Sequence, residues 1–465
     1  MANAPRKATP RPLSSALFGA AALACALLPV ERAFAAPAAV PHLIRDTEIE
    51  DILHRECDPV FAAAGLNPKT QILIVQDRIN AFTINGQTTA ITTDLIEETK
   101  TPNELIGVMA HEAGHAAGGH PLRSGEMLRA GLTPMLLTLG LSILAAAAGA
   151  PDAAAALALS SGYFGELGAL SYSREQESRA DQAAVTYLER AHLSGRGLVE
   201  FFDTFRYEEV FEQARRFPYF QSHPISSERI ELLRRRAEEQ PHYSATDPAD
   251  LVAIHEVMKA KLLAFTQPYQ QALIKYPETD TSFPARYARA IALYRQTETE
   301  RALKAIDALL VEQPQNPYLW ELKGQVLFEA GRAKEAEAPH RRSVELKPDA
   351  PLLQVNLAQA IIAQEDGKRA DEAIAHLQRA LAREDDNAFA WRLMAQAYDA
   401  KGDGGAARLA TAEERFSVGD LVQARIFALR ARELLKRNTP QWRRATDIVL
   451  VSRPGQDDLK ALGRG

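Results

Sequence analysis

The sequence predicts a mainly α-helical protein in two parts: a domain of helices around a small antiparallel β-sheet, then a solenoid of paired helices. Three observations predict it. Apolar residues recur at helical spacing along most of the 465 residues. Short strand-like runs lie between 71 and 93, two of them around an Asn85-Gly86 turn. Pro314 and Pro348 stand 34 residues apart, with small and aromatic residues recurring between them.

The first residues read as a secretory signal. Arg6, Lys7 and Arg11 precede an apolar run from Leu13 to Val30, and Ala33-Phe34-Ala35 supplies the small residues of a cleavage site after Ala35. An uncleaved anchor helix is the competing reading. Cleavage leaves 50 basic and 59 acidic residues. That acidic balance argues against nucleic acid as the main partner, because phosphate binding needs a basic surface. The remaining Cys57 cannot form an internal disulfide and reads as a small buried residue.

Leu43, Ile44, Ile49, Ile52, Leu53 and Val60 mark a helix over 43–66. Strands are expected at Gln71–Gln76, Ala81–Ile84 and Thr88–Thr93. Thr101-Pro102-Asn103-Glu104 is a helix start: a capping threonine, proline in the first turn and a capping-box glutamate. This helix ends near Gly118-Gly119. Ala130 to Pro151 carries no charge, nor does Ala153 to Gly165, and further helices are expected at about 172–192 and 196–214.

In the second part, Trp320, Gly324, Leu327 and Ala336 precede Pro348; Ala290, Leu293 and Ala302 precede Pro314; and Ala358, Ile361, Ala373 and Leu377 follow with about three extra residues near Asp366–Arg369. The pattern resembles a tetratricopeptide array of roughly four units over 283–437, in which small residues let stacked helix pairs share one core.

The sharpest chemical signal is His111-Glu112-Ala113-Gly114-His115. Side chains four apart share a helix face, so two imidazoles can grip one metal ion, and Glu112 beside them can take a proton from water acidified by the metal. A catalytic zinc needs a third protein ligand. Glu177, in the second helical run Ser173–Asp181, is the candidate, with Asp181 one turn further placed to orient a ligand histidine. A solvated acidic helix face is the alternative for these two.

The pairing of His111-Glu112-Ala113-Gly114-His115 with Glu177-Ser178-Arg179-Ala180-Asp181 resembles the M48 family of zinc peptidases, and Asn80-Ala81-Phe82 resembles its substrate-side strand. The resemblance implies a helical zincin-type metallopeptidase domain with a small antiparallel β-sheet, followed by an α-solenoid of tetratricopeptide repeats. It implies His111, His115 and Glu177 as ligands of one Zn2+ and Glu112 as general base. Ser222-His223-Pro224 resembles a segment of periplasmic members in which the histidine approaches the metal, so His223 becomes a candidate regulator or transition-state helper. Gln87-Thr88-Thr89 departs from the family's glycine-rich turn.

The domain organisation expected from all this is a signal peptide over 1–35, the peptidase domain over 36–265 with an apolar hairpin at about 130–170, a connector over 266–282, repeats over 283–437 and a tail over 438–465. His115 and Glu177 flank the hairpin yet must meet one ion, so any bilayer crossings are even in number. An alanine-rich hairpin packed near the site, or touching a membrane surface, fits better than two spans. The function implied is a periplasmic endopeptidase acting on misfolded or stalled envelope proteins, with repeats that recruit clients or the outer-membrane assembly machinery. The alternative is a chaperone or adaptor with a latent protease site.

Overall fold

A computed structural model describes residues 43–67, 71–84, 88–119, 138, 155, 173–206, 219 and 223–464. The signal segment and, apart from residues 138 and 155, the apolar hairpin lie outside the described residues.

Asp46 starts the first long helix, α1 (Thr47–Ala63), by accepting a hydrogen bond from the Ile49 amide at 3.0 Å, and Glu48 and Glu50 suit its positive end. Its buried stripe of Ile49, Ile52, Leu53, Cys57, Val60 and Phe61 faces the sheet and the next long helix. Burial pushes the Cys57 thiol well above its ordinary pKa.

The sheet has four strands, β1 (Leu43–Ile44), β2 (Gln71–Val75), β3 (Ala81–Thr83) and β4 (Thr88–Thr92), in the order β1-β2-β4-β3. β3 and β4 form the antiparallel pair expected around the Asn-Gly turn, with Phe82 opposite Ala90. The sheet is nevertheless mixed, because β2 runs parallel to β4 with Ile74 opposite Ile91. β2 and β4 are nearly continuous apolar or small-residue runs, the pattern of central strands, whereas β3 exposes Phe82 at the sheet edge.

After the short α2 (Thr93–Glu98), α3 (Pro102–Gly118) begins with the expected threonine cap and proline, but Glu104 reaches the Lys100 amide, one residue before the Thr101 amide that a capping box would use. Thr101 Oγ1 accepts from the Glu104 amide at 3.2 Å, and Glu104 Oε2 accepts from the Lys100 amide at 2.6 Å. Gly119 ends it in the left-handed conformation, φ 67°. The helix α4 covers 173–190, α5 Arg196–Thr204, α6 Ser227–Glu238 and α7 Ala249–Thr266. α3 is buried on nearly all sides: Leu105, Val108 and Met109 meet Leu198, Phe201 and Phe202 in one core.

Beyond α8 (Tyr269–Lys275) the helices alternate in pairs: α9 (Phe283–Arg295) with α10 (Thr299–Glu312), α11 (Pro317–Glu329) with α12 (Ala333–Leu346), α13 (Pro351–Ile362) with α14 (Ala370–Leu381), and α15 (Ala388–Ala400) with α16 (Gly404–Ser417). The extra residues near 366 form a single 3-10 turn, Gly367–Arg369. α17 (Leu421–Leu434), α18 (Pro440–Val451) and α19 (Gln456–Arg464) follow. Gly324 makes the closest approach in the array: a Cβ there would stand 2.6 Å from the His340 ring.

The repeats also grip α1 and the residues just before it. Tyr287 donates to Glu48 at 2.8 Å, Tyr318 to Asp51 at 2.6 Å, Lys347 pairs with Asp51 at 2.9 Å and Glu384 with Arg45 at 2.7 Å.

Candidate metal centre

α3 places His111, Glu112 and His115 in the interior, 0 %, 1 % and 8 % exposed. Gly114 brings α4 against this face, since a Cβ at 114 would sit 2.8 Å from the Ala180 carbonyl oxygen. Glu177 and Asp181, one turn apart on α4, thereby meet the two histidines. His115 Nε2 lies 3.0 Å from His111 Nε2. Glu177 reaches both, Oε2 to His111 Nε2 and Oε1 to His115 Nε2, each at 3.3 Å. Asp181 Oδ1 stands 3.0 Å from His111 Nδ1, at ion-pair distance.

His223, just before α6, closes the group. Its Nδ1 is 3.1 Å from Glu177 Oε1 and 3.4 Å from His111 Nε2, and its Nε2 is 3.5 Å from Glu112 Oε1. His111, His115, Glu177 and His223 each offer one donor atom, all within 4.8 Å of one another. Donor atoms about 3.3 Å apart at the corners of a tetrahedron stand about 2.0 Å from its centre, the bond length of a small divalent transition metal. Charge agrees with geometry. Glu112, Glu177 and Asp181 are three buried carboxylates facing one buried guanidinium, that of Arg229, a balance that a divalent cation matches. Glu112 Oε1 is buried without a hydrogen-bond partner among the described residues, as a carboxylate held ready for a proton would be. The residues therefore fit a metal ion.

Without the ion, the charges sort as neighbours dictate. Burial would lower the His111 pKa, but Asp181 and Glu177 outweigh it and hold it at about 9. His115 is lowered to about 3, by burial first and by the charge on His111, against the pull of Glu177. Burial raises Glu112. Burial would also raise Glu177 and Asp181, yet both lie below the ordinary carboxylate range: the three histidines hold Glu177 down, and Arg229 holds Asp181.

Arg229 is the site residue that the sequence reading missed. Its Nε and Nη2 donate to Asp181 at 2.6 and 2.8 Å, its Nη1 lies 3.0 Å from Glu177 and also donates to the Pro224 carbonyl, and its guanidinium stacks over Phe202 at 5.0 Å. A signal exists: Arg229 shares the buried stripe of α6 with Leu233 and Ala237, and an arginine on an apolar face needs an interior partner. Thr83 on β3 was also missed; its hydroxyl donates to the Glu112 carbonyl at 3.1 Å and ties the edge strand to the site.

Comparison with known proteins gives the site a family. Residues 45–237 match peptidase family M48, and residues 267–411 match the tetratricopeptide domain of cytochrome c-type biogenesis protein H. Similar proteins include the beta-barrel assembly-enhancing proteases of Yersinia pestis and of Escherichia coli strain K12. Each is 26% identical, over 76% of this chain and 72% of its own length. The E. coli metalloprotease YcaL is 34% identical over 29% of this chain and 49% of its own length. The chain carries an M48 metallopeptidase domain followed by a tetratricopeptide domain, and it is a metalloprotease. Among the described residues no helix is long and apolar enough to cross a membrane.

Proposed function

We propose that this M48-type metalloprotease is a zinc-dependent endopeptidase of the bacterial periplasm that cleaves misfolded or stalled envelope and outer-membrane proteins. The observation that carries the chemistry is the convergence of His111, His115 and Glu177 beside Glu112, whose buried Oε1 accepts no hydrogen bond among the described residues. The first three hold the ion. When bound, zinc supplies Lewis acidity, lowering the pKa of water toward about 7 and polarising the scissile carbonyl. Glu112 takes the proton of the attacking water and returns it to the leaving amine, and burial, which raises its pKa, favours holding that proton between the two transfers. Asp181, clamped by Arg229, keeps His111 oriented. β3, tied to α3 through Thr83, offers its outer edge to an extended client segment.

The domain boundaries we propose are those expected from the sequence: a signal peptide to Ala35, the peptidase domain to 265 with its hairpin at about 130–170 packed near the site or touching a membrane surface, a connector to 282, repeats to 437 and a tail. The repeats recruit clients or the assembly machinery, a reading supported by the names of the similar proteases.

One observation favours a second reading, a chaperone or adaptor with a latent site. His223 sits in the fourth corner of the donor set, where water and substrate must enter. In this state it restrains the site, and the segment must move to admit a client.

Glu112→Gln tests the reading. Metal content should stay at one zinc at the site, and cleavage of a denatured test protein should fall by roughly 100-fold or more. Undiminished cleavage removes Glu112 as the base. Client folding that survives Glu112→Gln but not deletion of the repeats selects the chaperone reading.

A further inference from the structure

A second group of imidazoles lies at the far end of the helix that carries Glu177. His192 follows the last turn of α4, where its amide donates to the Glu189 carbonyl at 3.0 Å and the Leu193 amide to the Leu188 carbonyl at 2.9 Å. This is a helix-ending position usually given to glycine, and His192 holds it with φ 59°. The ring therefore stands where the turn places it. His242, on the loop between α6 and α7, faces it. His242 Nε2 is 3.2 Å from His192 Nδ1, with ring centroids 4.6 Å apart and planes at 69°.

Glu189 fixes the His242 ring. One carboxylate oxygen accepts from the His242 amide at 3.1 Å and the other lies 2.7 Å from His242 Nδ1. The tautomer with its proton on Nδ1 satisfies this carboxylate and turns the Nε2 lone pair toward His192. The loop is held independently: Ser194 donates to the Tyr243 carbonyl, and Arg196 stacks over the Tyr243 ring at 5.0 Å. A carboxylate behind a histidine whose free nitrogen points outward is the arrangement that orients metal ligands.

We propose that His192 Nδ1 and His242 Nε2, braced by Glu189, form a second transition-metal site at the surface, for Zn2+ or another imidazole-seeking divalent ion. Two nitrogens 3.2 Å apart subtend an angle of about 100° at an ion bonded at roughly 2.0–2.1 Å, close to tetrahedral. The separation falls within the 3.0 to 3.4 Å found between donor nitrogens of the first site. The pair is open to solvent, with the His242 side chain 36% exposed, so water completes the shell. No residue is shared with the first site, so the inference does not rest on the proteolytic reading.

The full chain, stripped with a chelator and then equilibrated with zinc alone, tests it by metal analysis. His192→Asn keeps a residue that tolerates the left-handed turn and removes the imidazole; His242→Gln removes the other. Each should bind one zinc per chain fewer than the wild type, with unchanged helical content. Glu189→Gln should retain the site but weaken it by roughly 10- to 100-fold. If both histidine variants bind as many ions as the wild type, the two rings share only a hydrogen bond and the proposal is overturned.

Discussion

Gly114→Ala is a one-carbon change that should disable the metal centre while barely altering the fold. The added Cβ would lie 2.8 Å from the Ala180 carbonyl oxygen and 3.0 Å from its Cα. Both obstacles are backbone, so no rotamer relieves them. Ordinary contact needs about 3.5 Å, so α3 and α4 must separate by roughly half an ångström. Glu177 precedes Ala180 by less than one turn and moves with it, whereas ligand distances tolerate only about 0.2 Å. Two terms oppose each other in stability. Overpacking costs about 1–3 kcal/mol, and alanine recovers up to about 1 kcal/mol over glycine within a helix. The metal-free variant should therefore unfold within about 2 kcal/mol of the wild type, while zinc affinity falls at least tenfold, about 1.4 kcal/mol. Competition against a chromophoric chelator reads the affinity, and thermal unfolding with and without zinc separates the two effects. A Gly114→Ala protein that holds zinc as tightly as the wild type refutes the idea that this contact sets the distance between Glu177 and the histidine pair.

Arg229→Met should destabilise the metal-free protein by about 3–5 kcal/mol, because Asp181 and Glu177 lose the buried guanidinium that compensates them; denaturant unfolding measures it, and Arg229→Lys should not restore the bidentate contact. Gly324→Ala drives a Cβ into the His340 ring and should cost about 1–3 kcal/mol in the repeats with zinc affinity intact, read by calorimetry alongside metal titration. Burial lowers the His340 pKa from 6.5 to about 4. Protonation therefore favours the unfolded chain: the stabilising contribution is complete above pH 6.5 and is lost as pH falls toward 4, a loss on the order of 3 kcal/mol. Comparing wild type with His340→Leu across that range should show a shallower acid slope in the variant; parallel slopes would exclude His340 as the titrating group.

Much of this arrangement was legible because it is local. The start of α3 lies in four consecutive residues, and the spacing of His111 and His115 alone puts both rings on one face. Glu177 and Asp181 needed family resemblance as well, because an acidic helical run has an innocent solvated reading. His223 rested on resemblance alone. What stayed hidden joins residues far apart. No local pattern fixes strand order, so the parallel pairing of β2 with β4 emerges only once both strands are buried. Arg229 lies 48 residues from Asp181, and the residues of the repeats that hold Glu48 and Asp51 lie more than 200 positions away.

Those distant contacts are unequal, and their ranking indicates which motion is cheap. Arg45 and Glu384 form an ion pair with side chains 41% and 21% exposed, worth about 0–1 kcal/mol. Lys261 is different. It is buried on α7 within 2.8 Å of Asp46 and 3.1 Å of Glu48, while Tyr287 donates to Glu48 from the first repeat. Breaking such a group by removing one partner costs about 3–5 kcal/mol. α7 itself serves both cores: Met258 and Leu262 pack with the peptidase domain, Ala260, Leu263 and Ala264 with the repeats. Swinging the repeats away must expose that helix and strand the Lys261 cluster together. Displacing His223 breaks its contacts with Glu177, His111, Glu112 and Tyr219, all within the site, and leaves the α7 packing untouched. The repeats are thus held as a fixed wall beside the peptidase domain, and the less costly way to open the site is movement of the 223 segment.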